Sequence, residues 1–158
     1  MIMRGTRLEM IVLVNTVNTL TPSRELSLVK THLQTAQMWA GEYLKVSGEG
    51  ENPYAKMDGK RETIKDIEPL FDATTATLSG EILNKGRIAT IDSIREILNE
   101  KIKICHEDLM AFSLGRHDIP DFEMGMKMQT ARHQFIVHAT EARMWLGMEL
   151  GRIRDESN

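Results

Sequence analysis

HLQTAQMWAGEYL (residues 32–44) and HATEARMWLGMEL (residues 138–150) carry His, Ala, Met, Trp, Gly and Leu at the same six offsets. The chain has two tryptophans, Trp39 and Trp145, and both fall inside this repeat. Steps of four, three and four place His32, Ala36, Trp39 and Tyr43 on one helical stripe, and His138, Ala142, Trp145 and Glu149 on an equivalent one. Gly41 and Gly147 stand mid-helix, where glycine costs about 1 kcal/mol relative to alanine. Such a position lets a second backbone or a flat ligand come close. Two related helices, one towards each end of the chain, predict a pseudo-two-fold pair. The repeated faces then serve either as packing surfaces or as a duplicated site for a symmetric ligand.

Outward from the first copy, Ser23 is a fitting N-cap, with Glu25 in the first turn to suit the helix dipole. Leu26, Val29, Leu33, Ala36, Ala40 and Leu44 recur at three- and four-residue steps, so the first repeat helix is expected over 23–46. Residues 47–75 read as a long polar loop holding Tyr54, Lys56, Lys60, Arg61 and Lys65. Loops of this length are either functional or simply solvated. A central helix is expected over 91–114 and the second repeat helix over 122–152. The latter would be about 45 Å long, more than a small domain is wide. An overhanging helix of that kind predicts a homo-oligomer. The β-branched run in "MIVLVNTVNTL" (10–20) reads as a short strand or an apolar arm. The fold class is therefore all-α: a bundle of helical hairpins with two related long helices and a short N-terminal strand or arm, in a single domain over 1–158.

Composition narrows the function. With 41% apolar and 27% charged residues the chain is globular, and with 5% aromatics and 11 Met its core is aliphatic and thioether-rich. A net charge of −3 argues against binding a DNA or RNA polymer, which needs a basic excess. The single Cys105 leaves no intrachain disulfide and suits a reducing compartment. The apolar run of residues 10–14 is too short to span a bilayer, and no cleavage site follows it, so no membrane partner is expected.

The segment VKTHLQTAQM (29–38) resembles the second-helix signature of the helical-hairpin domain in phage anti-CBASS and anti-Thoeris sponge proteins. The likeness rests on Lys30, Thr31, Leu33, Gln34, Thr35 and Met38. Ala36 stands where the family often has Gly, and Gly41 and Glu42 where it commonly has Arg. The resemblance implies a viral immune-evasion protein, acting in the cytoplasm of the infected host cell. Such a protein sequesters a cyclic nucleotide or cyclic ADP-ribose-type signal without cleaving it. Bases would stack on Trp39, Trp145 or Tyr54 beside His32 and His138. Phosphates would be held by Lys56, Lys60, Arg61, Arg132 or Arg143 through charge-assisted hydrogen bonds. The alternative is a phage structural or interaction protein whose repeated helices form subunit interfaces.

Enzyme readings are weaker. His138 and Glu141 reverse the Glu-x-x-His order of a di-metal bundle and have no second copy, because Thr35 replaces the Glu. Glu96, Glu100, Glu107 and Asp108 are the candidates for an all-α nucleotide pyrophosphohydrolase, but Lys101 and Lys103 interleave as on a solvated helix. Cys105, between Ile104 and His106, reads as a core thiol rather than a nucleophile. No catalytic residue, metal ligand or cofactor is expected.

Overall fold

The structure, a computed structural model, describes residues 3–48, 80–113 and 122–156, with side chains described from 85 to 110 in the middle segment. Four helices follow in order: α1 (Met3–Val17), α2 (Arg24–Ser47), α3 (Gly80–Ser113) and α4 (Phe122–Glu156).

The N-terminal segment is a helix, not the strand or arm that its β-branched run suggests. Packing decides this. Met3, Met10, Leu13, Val14 and Val17 fall on one helical stripe and are all buried. A small propensity cost for valine and isoleucine is readily outweighed by such burial, worth about 1.5–3 kcal/mol per large side chain. Thr16, fully buried, satisfies its hydroxyl by donating to the Val12 carbonyl at 2.7 Å. Tightened turns from Asn18 to Leu20 close the helix. Ser23 then caps α2 from an extended backbone, its Oγ accepting from the Leu26 amide at 3.1 Å. Gly48 ends α2 in the left-handed region at φ 66°, which favours glycine.

The helices pack in the spatial order α1–α2–α4–α3, with α2 against α4 as the most extensive contact. Ser23 meets Glu149, His32 meets His138 and Tyr43 meets Arg132, so α2 and α4 run antiparallel. Ala36, Ala40, Ala139 and Ala142 are fully buried along them, and short side chains let two helix axes approach. α3 lies antiparallel on α4, from Arg87 beside Glu149 to Asp108 beside Arg132. At 34 residues it nearly matches the 35 of α4, so the length of the last helix has a partner within the chain. A Glu9–Lys101 pair at 3.2 Å ties α1 to α3. None of the described helices is long and apolar enough to cross a membrane.

The 106-residue offset of the repeat is also the geometry of the pair, since His32 and His138, equivalent in sequence, touch each other. A pseudo-two-fold axis through that contact exchanges α2 with α4. It also exchanges Tyr43 with Glu149, and there the copies diverge. Tyr43 receives a hydrogen bond from Arg132 at 2.9 Å. Glu149, with no exposed surface, accepts from Ser23 at 2.8 Å, from Arg152 at 2.5 Å and from Arg87 at 3.4 Å. Each end of the central pair thus buries a polar side chain and satisfies it with arginine.

Candidate functional site

The two copies place their distinctive side chains along the edge of the α2–α4 contact. At its centre the His32 and His138 rings stack with centroids 5.4 Å apart and planes 28° apart. Their Nδ1 atoms are 3.2 Å apart, so one ring donates and the other accepts. His32 Nε2 faces Glu141 Oε2 at 3.0 Å, placed for an N–H on that nitrogen to donate to the carboxylate. Burial, then the facing His32 ring, hold His138 below the usual histidine value, with Glu141 opposing. The pair is a ring-to-ring hydrogen-bond contact at the pseudo-axis, with a carboxylate on one side only.

Seven residues beyond each histidine stands a tryptophan, partly buried against the core. Trp39 forms one wall of a groove of about 310 Å³, with Glu42 from α2 and Glu123, Met126, Lys127 and Thr130 from α4. That volume is at the lower end of the range for small-molecule sites. Trp145 lies under the Arg24 guanidinium, 5.9 Å from the ring centroid. Arg24 and Thr130 are separated by the same 106 residues as the histidines, so the surroundings of Trp145 are the pseudo-symmetric counterpart of the Trp39 groove. The two are not alike in charge: carboxylates line one, and a guanidinium covers the other.

The remaining sequence-nominated residues lie apart from this face or outside the described chain. Arg132 is 2% exposed, its Nη2 on the Tyr43 hydroxyl, Nη1 at 3.5 Å from the Asp108 carbonyl, and guanidinium 5.1 Å from the Tyr43 ring. It is a core group holding α4 to α2 and α3. Arg143 donates to Asn99 Oδ1 at 2.7 Å on the α3 side. Tyr54, Lys56, Lys60 and Arg61, with the 47–75 loop beyond Gly48, lie outside the described residues. At Gly147 the nearest side chain is the Arg95 guanidinium, 3.7 Å from where a Cβ would stand. Among the described residues no group of three or more His, Cys, Asp or Glu is placed to hold a metal ion. Cys105 is buried, and burial pushes its thiol up to about 12, well away from a nucleophile's range.

Glu42, Glu123, Met126, Lys127 and Thr130 were missed as site residues in the sequence. Glu42 was legible as the i+3 neighbour of Trp39. The α4 residues emerge only from the antiparallel register, which the repeat does not state.

The described fold is that of paired helical hairpins, α1–α2 and α3–α4, joined through their second helices. Residues 4–43, the α1–α2 hairpin as far as Tyr43, match the Acb2/Tad1 hairpin domain, which is the anti-CBASS/anti-Thoeris sponge family. The signature at Lys30–Met38 lies inside that span. No curated protein and no solved structure matches the chain.

Proposed function

We propose that this is a phage anti-defence protein that binds a cyclic nucleotide or cyclic ADP-ribose-type signal and sequesters it without cleavage. The observation that carries the reading is the coincidence of the Acb2/Tad1 match with the α1–α2 hairpin, whose distinctive face recurs on α4. Trp39 and Trp145 supply aromatic surfaces, each half-covered by the fold, on which bases stack at about 1–3 kcal/mol apiece. Lys56, Lys60 and Arg61 remain the proposed phosphate holders, with Tyr54 beside them. His32 and His138 would line the space between the tryptophans. Arg132, and to a lesser degree Arg143, would act through the scaffold rather than on the ligand. The setting is the infected host cell, and the chain acts as one domain in a homo-oligomer.

A second reading, a subunit-interface protein, is favoured by Met38, Met126, Met144 and Met148, each about half exposed on the central helices. One experiment separates the two. The purified chain is incubated with a panel of cyclic di- and trinucleotides and cyclic ADP-ribose isomers, desalted, and then heat-denatured. Sequestration requires retention of one ligand and its release with unchanged mass. Retention of none favours the interface protein, and release of a cleaved product identifies an enzyme.

A further inference from the structure

The groove at Trp39 has a chemistry that phosphate does not fit. Its polar lining is dominated by acceptors. Glu42 has no bonding partner among the described residues. Lys127, the basic group present, stands 3.6 Å from Glu123. The Thr130 hydroxyl donates to the Met126 carbonyl at 3.0 Å, so what it has left to offer is acceptor capacity. Two carboxylates around one cation repel an anion and attract N–H donors. Trp39 adds a flat apolar wall, so the preferred guest is planar and donor-rich along one edge.

We propose that the Trp39 groove is a guanine subsite, in which the base stacks on Trp39 and the Glu42 carboxylate accepts its ring N–H and exocyclic amino group together. Guanine alone among the common bases presents those two donors side by side, spaced like the fork of a guanidinium, which carboxylates bind in bidentate fashion. Adenine presents an acceptor next to its amino group and would face Glu42 with a lone pair. The inference rests on the sequestration reading and sharpens it: guanine-bearing cyclic nucleotides are preferred over adenine-only ones.

The test compares cyclic di-GMP with cyclic di-AMP. Calorimetry on the unsubstituted chain gives the affinities, and fluorescence of a Trp145→Phe variant, in which Trp39 is the remaining tryptophan, reports the site. Cyclic di-GMP should bind at least about tenfold more tightly and quench Trp39, the scale expected for one charge-assisted hydrogen bond. Glu42→Gln offers one acceptor and one donor in place of two acceptors. It should erase that preference by weakening cyclic di-GMP, and keep the helical circular dichroism. Equal binding of the two ligands, binding confined to adenine-bearing members of the panel, or an undiminished preference in Glu42→Gln overturns the guanine subsite while sequestration stands. Stronger quenching by N-acetylarginine amide than by cyclic di-GMP also overturns it, since the groove then takes a guanidinium. Failure of every nucleotide on the wider panel overturns both.

Discussion

Neutralising Glu149 strikes the carboxylate that is buried in the core of the described residues. The side chain has no exposed surface, and its two oxygens face Ser23 Oγ at 2.8 Å, Arg152 at 2.5 and 3.2 Å, and Arg87 at 3.4 Å. Arg152 is 31% exposed at its side chain and reaches Glu25 and Glu156 as well, so water and other carboxylates compensate much of its loss. Arg87, at 8% exposed, stays in the core when Glu149 is neutralised, away from the water that reaches Arg152. Breaking a buried pair by neutralising one partner costs about 3–5 kcal/mol, because the other charge remains desolvated. Glu149→Gln keeps the shape and leaves no cavity, so it isolates this term. For a chain of this size the loss corresponds to a fall of roughly 10 °C in Tm, or a matching shift of the urea midpoint followed by circular dichroism. Pairing Glu149→Leu with Arg87→Met removes both charges and should restore at least half of what Glu149→Leu alone loses. A Glu149→Gln variant within about 1 kcal/mol of the parent, or strictly additive effects in the double variant, would show that the network is not coupled as the geometry implies.

Three further outcomes follow from particular contacts. Cys105, its thiol pushed up to about 12 chiefly by burial, should resist iodoacetamide at pH 8 in the native state and react fully in urea, as read by mass spectrometry. Gly147→Ala should raise stability by about 0.5–1 kcal/mol, because helix propensity improves and the added Cβ meets only the Arg95 guanidinium at ordinary contact distance. Destabilisation in thermal melts would mean that a closer neighbour needs that space. Because folding holds His138 below its ordinary 6.5, the unfolded chain binds more protons between the two values. Stability should therefore fall as pH drops through 6.5, and the slope should end once the folded ring itself is protonated. Urea midpoints at pH 7.5 and 5.5 should differ less in His138→Gln than in the parent, and equal differences would remove His138 as the source.

The sequence revealed α2 well because its signals agree: a Ser23 cap, an acidic first turn, an apolar stripe and a terminating glycine. α1 was misread because Met10–Val14 looks like a strand locally, and what makes it helical is the presence of α2 against Met3, Met10, Leu13 and Val17. The repeat pointed to His32, His138 and both tryptophans. It did not reveal that the histidines touch, since an offset along the chain carries no information about antiparallel register. Arg132 was nominated for a ligand as a basic group towards the second copy, standing in for the arginine that Gly41 and Glu42 replace in the first. Only the packing shows that Tyr43 and the Asp108 carbonyl occupy it.

The repeat suggested one duplicated site for a symmetric ligand, and the geometry argues for a different use of the duplication. Trp39 stands beside Thr130, while Trp145 stands beside Arg24. On α2 those two levels, 39 and 24, are about 22 Å apart along the helix, four turns. A small cyclic ligand stacked on one tryptophan does not reach the other. The pseudo-axis passes through His32 and His138, where the copies are still alike, and charge diverges away from it: Glu42 and Glu123 at one tryptophan, Arg24 at the other. The repeat thus gives a symmetric scaffold around the histidine contact whose two ends differ in charge. Ligand contacts that differ between the ends follow from that divergence, and Trp39→Ala and Trp145→Ala should accordingly change nucleotide affinity by unequal amounts in the same calorimetric titration.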